Sequence, residues 1–216
     1  MTSPLSWRIA SSVSNSASIY VPSGGALLDG SESDGTSKLT APTTAMTSNW
    51  DALNGTFTNT AGTAPDGSGN ASKLLESAVT DRHIIYTIGF AITAGATVTY
   101  SIYSKMITRR YLQMTAGPGG AAAIYAFFDL QAGSVTNSGT VSPDGTTVVS
   151  ATNCQAAVNG FYKCTLTGKV DAGTTTPYLT LALSDVATYG APLSAESPSY
   201  LGVITNGALF WRPKVV

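Results

Sequence analysis

The side chains with the most chemical potential in this sequence are aromatic. Ten Tyr, six Phe and three Trp supply flat apolar faces, and Tyr and Trp add polar tips, a combination on which sugar rings stack. Six residues fall within a short stretch: Tyr103, Arg110, Tyr111, Gln113, Tyr125 and Phe127. Rings interleaved with an amide and a guanidinium could hold a neutral glycan by stacking and hydrogen bonding. The alternative is that such rings fill a core. Core is the preferred reading for Tyr100 and Phe128, while Tyr103, Tyr111 and Tyr125 leave both readings open.

Groups that could carry a reaction are sparse. The one histidine, His83, follows Arg82 at the head of an apolar segment. There is no Gly-x-Ser-x-Gly elbow, no His-Glu-x-x-His and no phosphate-binding loop. Asp66 and Asp144 sit in Pro-Asp-Gly turns, and Asp51 and Asp171 lie beside loop residues, where Asp serves turn geometry. No carboxylate pair for glycoside hydrolysis is marked. The expectation is therefore a non-enzyme without a cofactor. Calcium is the one ion that oxygen-rich loops around Asp66 or Asp144 could take, and nothing marks a site for it. Arg109 and Arg110 are too few for a nucleic-acid surface. Cys154 and Cys164 flank the hairpin turn Asn159-Gly160. Cross-strand pairing of the two is open to either a disulfide or two buried thiols.

The elements that must position these residues read as β-strands. Only 11% of the 216 residues are charged, against about 25% in an ordinary domain. The formal net charge of −1 excludes a strong overall grip on nucleic acid or an anionic membrane. No run approaches the ~20 apolar residues of a membrane helix. In Ala96–Ser104, Val98, Tyr100 and Ile102 alternate with Thr97, Thr99, Ser101 and Tyr103, which predicts a half-buried strand. Further strands are predicted at 84–90, 110–115, 122–130, 146–151, 161–168, 178–184, 200–205 and 208–212. Residues 71–77 fit a strand or a single turn. Gly- and Pro-rich turns punctuate the series, which predicts an all-β, antiparallel β-sandwich of the jelly-roll kind.

Residues 1–47 differ in character: small and polar, with one β-like island at Ala17–Val21. Such composition buries no core by itself, so residues 1–47 are expected to form an extended N-terminal arm, with the sandwich domain spanning 48–216. Trp7 and Tyr20 are the arm's candidate anchors. The opening MTSPLSW shows no basic segment followed by an apolar one, so no secretory signal is expected. Few Lys and Glu with abundant Thr, Ser and Tyr nevertheless suit an extracellular surface. A protein released by lysis, as virion parts are, reconciles the two.

The order of motifs carries a resemblance. Ser48-Asn49-Trp50-Asp51, Thr63-Ala64-Pro65-Asp66-Gly67 and Ala71-Ser72-Lys73-Leu74 lead into Thr99-Tyr100-Ser101-Ile102-Tyr103-Ser104-Lys105. Arg110-Tyr111-Leu112, Phe128-Asp129-Leu130 with Gly133, Asn159-Gly160-Phe161-Tyr162-Lys163 and Gly207-Ala208-Leu209-Phe210-Trp211 follow. This series resembles the jelly-roll, carbohydrate-binding-module or concanavalin-like domain of phage tail, fibre and decoration proteins. Phe161 stands where that family usually has Trp, and the family's closing Gln and Glu are missing beside Trp211.

The resemblance implies a virion structural protein: a head or tail decoration, spike or fibre subunit whose domain binds host-surface glycan. The rival expectations are a purely structural decoration and, behind it, a polysaccharide-degrading enzyme. The implied partners are other virion proteins and further copies of the chain, as in the trimers common among fibres. Host polysaccharide is a further candidate partner, with neither nucleic acid nor membrane insertion expected. The implied location is the virion, after synthesis in the host cytoplasm.

Overall fold

The computed structural model describes Leu39, Met46 and residues 49–87, 90–118, 122–141, 146–188 and 197–216. Trp7, Tyr20 and Asp144 lie outside the described residues. The strands are β1 (Trp50–Leu53), β2 (Gly55–Gly62), β3 (Ala71–Glu76), β4 (Thr80–Asp81), β5 (His83–Thr87), β6 (Thr97–Met106) and β7 (Tyr111–Gly117). They continue as β8 (Ile124–Asp129), β9 (Ser134–Thr140), β10 (Val148–Ala156), β11 (Tyr162–Lys169), β12 (Tyr178–Ser184), β13 (Tyr200–Leu201) and β14 (Gly207–Val215).

Two six-stranded sheets form the sandwich. The front sheet runs β1-β5-β12-β7-β8-β9, the back sheet β10-β11-β6-β14-β3-β2, and β13 pairs β4 in a small ribbon. Ladders between these strands are antiparallel. The fold is therefore an all-β jelly-roll sandwich, as the strand pattern predicts. The last strand in sequence, β14, lies in the middle of the back sheet between β6 and β3.

Alternation decides which side chains meet between the sheets. Val98, Tyr100 and Ile102 of β6 point inward, as their spacing predicts, with Leu112, Met114 and Ala116 of β7 and Ile124, Ala126 and Phe128 of β8. Leu179, Leu181 and Leu183 of β12 lie with β7 and β8 on the front side of the core, while Leu166, Ala208 and Phe210 lie with β6 on the back. Leu39 and Met46 are buried in this same core. Residues assigned to the arm by composition thus contribute packing to the body.

Local sequence explains several irregularities. Pro213 cannot donate to a ladder, and the β14–β6 register shifts between Trp211 and Lys214 with Arg212 at φ 52°. Asp66 accepts from the Ser68 N–H at 2.9 Å and the Ser68 hydroxyl at 2.6 Å, closing the turn in which Gly67 has φ 83°. At the β10–β11 hairpin, Asn159 (φ 59°) and Gly160 (φ 75°) take the left-handed conformations that Asn-Gly favours. Cys154 and Cys164 are direct partners across that hairpin, but their Sγ atoms lie 3.9 Å apart and both are free thiols. The sequence left disulfide and thiols open; the geometry has the strand pairing without the bond.

Candidate functional site: the outer face of the front sheet

Because even positions of β7 and β8 enter the core, odd positions face outward. The register brings them together: Tyr111 opposite Asp129, Gln113 opposite Phe127, Thr115 opposite Tyr125. On the other side of β7, Ala182 faces Gln113 and Thr180 faces Thr115. Tyr86 follows opposite Thr180, and its ring lies 6.4 Å from that of Tyr178. Beyond β8, Asn137 faces Phe127 and Gly139 faces Tyr125. Five of the six sequence-selected residues, Arg110, Tyr111, Gln113, Tyr125 and Phe127, thus gather on or beside one face.

Tyr103 does not join them. Its strand belongs to the back sheet, because the chain crosses from one sheet to the other between Met106 and Tyr111. There Tyr103 is buried against Trp211, with ring centroids 5.2 Å apart, in a small cluster with Phe161, Ala64 and Ala71. Adjacency in sequence predicts one shared face for Tyr103, Tyr111 and Tyr125; the sheet crossover overturns it. Tyr103 is a packing residue.

Burial on the front face is deep. Phe127 is 0% and Tyr125 3% exposed, with their rings 6.1 Å apart and nearly perpendicular. Gly139 leaves room for Tyr125: a β-carbon there would lie 2.8 Å from the phenol oxygen. Burial raises the Tyr125 phenol above its usual range, and a hydrogen bond with Asn137 opposes the shift. The chain leaving β12 turns across this end of the sheet. The Thr136 hydroxyl donates to the Ala187 carbonyl, and the Asn137 amide donates to the Thr188 hydroxyl. Tyr111 is half-buried and Tyr178 40% exposed, so they form the accessible margin.

Two polar atoms in the middle of the face stand out. Gln113 Oε1 and Thr115 Oγ1 are buried without a hydrogen-bond partner among the described residues. An unmade buried hydrogen bond costs ~1–3 kcal/mol, so such groups mark places where something else completes the bonding. Arg110 closes one end by holding Asp129 with Nε at 3.0 Å and Nη2 at 2.6 Å, and it stands 5.1 Å over the Tyr111 ring. That guanidinium contact keeps the Asp129 carboxyl below its ordinary range, helped by the Gln131 and Ala132 N–H groups. Thr115, Tyr86, Tyr178 and Asn137 escaped the sequence reading; period-2 alternation gave a signal for Thr115, but none fixed the neighbouring strands.

The residues with catalytic chemistry are engaged elsewhere. His83 is buried, with Nδ1 2.6 Å from the Asn54 carbonyl and Nε2 3.4 Å from that of Tyr200. Glu76 is buried beneath Arg109, which binds it through Nε at 2.6 Å and Nη2 at 2.8 Å. The Tyr200 hydroxyl at 2.7 Å and the Val203 N–H at 2.9 Å complete the carboxylate's bonding. Burial by itself would raise the Glu76 carboxyl; the bonds from Arg109, Val203 and Tyr200 outweigh it and hold the group low. Among the described residues no three His, Cys, Asp or Glu side chains gather as metal ligands.

The motifs behind the sequence resemblance converge on structure. The Asn159 amide donates to the Ala64 carbonyl at 3.0 Å, and Lys105 Nζ donates to the Asn159 carbonyl at 2.7 Å. Lys105 also stands 5.8 Å over the Phe161 ring. Tyr162 lies over Gly133, where a β-carbon would be 2.1 Å from its ring.

The fold and this face define the class as a jelly-roll sandwich with one aromatic outer face. No protein-family model and no curated protein matches the sequence. Among solved structures, the chain is similar to the CBM22-1 and GH10 modules of Clostridium thermocellum N-terminal endo-1,4-β-D-xylanase 10B, solved with xylohexaose, at 11% identity and TM-score 0.41. It is similar to the enzymatically active domain of bacteriophage CBA120 tailspike protein 4 at 12% identity and TM-score 0.42. Each match covers 78% of this chain but only 26% and 19% of the other. A mannan-recognising carbohydrate-binding module is similar at 10% identity and TM-score 0.33, covering 77% of this chain and 87% of that one.

Proposed function

We propose that the chain is a non-catalytic, glycan-binding subunit of a phage virion, which takes neutral sugar rings on the outer face of the front sheet. The observation that carries the sugar-binding reading is the pair of unsatisfied polar atoms, Gln113 Oε1 and Thr115 Oγ1, set among Tyr111, Tyr125, Phe127 and Tyr178. Sugar hydroxyls donate and accept, so they suit an orphan acceptor and an orphan hydroxyl flanked by rings. The virion assignment rests on the ordered motif series and on a surface poor in charge. Within it, the chain works as a decoration, spike or fibre subunit alongside other virion proteins and further copies of itself, a trimer among the options.

A purely structural decoration is the second reading, favoured by the deep burial of Tyr125 and Phe127. Glycan-array binding separates the two. Tyr111→Ala and Gln113→Ala should each abolish or sharply weaken retention of host-surface glycan. Loss of the half-buried Tyr111 should leave the melting temperature nearly unchanged, whereas truncating the buried Gln113 should also lower it. Tyr125→Ala is a poor probe, because removing a buried ring costs about 3–5 kcal/mol of stability. Absence of binding to every host polysaccharide assigns the structural role; depolymerisation of that polysaccharide points instead to an enzyme.

A further inference from the structure

The opposite side of the sandwich is chemically unlike the front. Six lysines occur in the sequence, and the five that are described all occupy outward positions of the back sheet. The register fixes this: Lys73 and Lys105 both pair with outward Leu209, Lys163 with Tyr103, Lys169 with Thr97, and Lys214 with Ser101. Arg212 joins them, its guanidinium 5.5 Å over the Trp211 ring. No outward strand position of this sheet carries Asp or Glu. The nearby carboxylates lie in turns rather than on the strands: Asp66 is held by Ser68, and Asp171 accepts from the Gly173 N–H and the Thr174 hydroxyl.

Sheet geometry spreads these cations over about 14 Å across the strands and about 27 Å along them. Like charges gathered on one face repel each other, and mixing signs removes that cost, so a one-sign field is a feature of association. The strands between the lysines carry outward Thr97, Thr99, Thr165 and Thr167, whereas Ser101 is buried and the Tyr103 end is packed under Ala64. Tyr103 and Trp211 are buried, so no ring is offered for base stacking, which disfavours single-stranded nucleic acid. The face likewise presents neither a helix nor a two-stranded ribbon to a duplex groove.

We propose that this face is a second interaction surface, for an acidic polysaccharide whose repeating units carry carboxylate or phosphate groups. Spaced ammonium groups meet spaced anions, and the threonine hydroxyls between them hydrogen-bond to the sugar. This surface is independent of neutral-sugar binding at Tyr111 and Gln113, and either can fail alone.

The test uses the full chain and polygalacturonate, with neutral dextran and phosphatidylserine vesicles as comparison probes. Wild-type protein should bind polygalacturonate, lose it as salt rises, and bind dextran no better through this face. The variant Lys73→Gln/Lys163→Gln/Lys169→Gln should bind on the order of a hundredfold more weakly, at roughly 1 kcal/mol per cation near an anionic surface. Lys73→Arg/Lys163→Arg/Lys169→Arg should retain binding, and Tyr111→Ala should leave it unchanged. Equal affinity in the Gln triple variant with an unaltered melt, no binding by wild type, or stronger binding to the vesicles would overturn the proposal.

Discussion

Glu76 offers the sharpest physical test of the fold. Its carboxylate is buried and takes four bonds, two from Arg109, one from Tyr200 and one from the Val203 backbone. The Arg109 guanidinium in turn lies 4.6 Å over the Tyr200 ring. The network joins β3, the segment before β7, and β13 with the turn after it. Replacing the carboxylate by an amide in Glu76→Gln leaves the Arg109 cation without its counter-charge. Breaking one partner of a buried pair costs about 3–5 kcal/mol. For a domain of this size the melting temperature should fall by about 6–20 °C.

The pH dependence carries the sign. In the wild type the folded carboxyl lies below its unfolded value, so its contribution is complete above the ordinary carboxylate range. It is lost as pH falls through the lowered folded value. In Arg109→Met, burial dominates and pushes the carboxyl up, so the variant is hurt most at neutral pH and recovers relative to wild type on acidification. Melting both proteins between about pH 6 and pH 3 should therefore show the gap narrowing. Parallel curves, or a loss in Glu76→Gln below about 1 kcal/mol, would refute an ionised buried pair.

Two further outcomes follow from local geometry. Gly133→Ala should cost about 2–4 kcal/mol, since Gly133 has φ 67° and its new β-carbon would strike the Tyr162 ring; chemical denaturation reads it, with Ala132→Gly as a milder comparison. Cys154 and Cys164 should close a bridge when a small-molecule disulfide is supplied. The half-buried Cys154 thiol, held low by its hydrogen bond with Cys164, is the attacking group. Mass spectrometry should show the loss of two hydrogens, with stability raised by about 2–3 kcal/mol and no such change in Cys154→Ser.

Much of the fold was legible, for a reason visible in β6. Its apolar and polar residues alternate from Thr97 to Ile102, and the inward side is core, so period alone places Val98, Tyr100 and Ile102. Residues 178–184 were equally plain and form β12 over the same span. By contrast β2 and β9 escaped notice, because GTFTNTAG and SVTNSGT form sheet edges with few buried residues to pattern them. The predicted strand at 200–205 shrinks to Tyr200–Leu201, since Val203 and Asn206 turn to meet Glu76 and close a loop.

The candidate site was half legible. Tyr111 and Gln113 share parity on β7, as Tyr125 and Phe127 do on β8, but nothing local says which strands share a sheet, so the sequence could not separate Tyr103 from them. The Glu76–Tyr200 bond spans 124 positions in sequence and leaves no local trace. Net charge hid the lysine face for a related reason: a sum over the chain is blind to where its terms sit.

The central position of β14 has a consequence for how the molecule is made. Until residues 207–215 emerge, β10-β11-β6 and β3-β2 are two fragments with open hydrogen-bonding edges and no strand to join them. During synthesis the sandwich thus waits for residues 207–215 before its back sheet can close, and such non-local pairing folds slowly. A chain cut short before β14 would expose both edges to its neighbours. Closure of the sheet therefore acts as a built-in check that translation has run to the end of this strand.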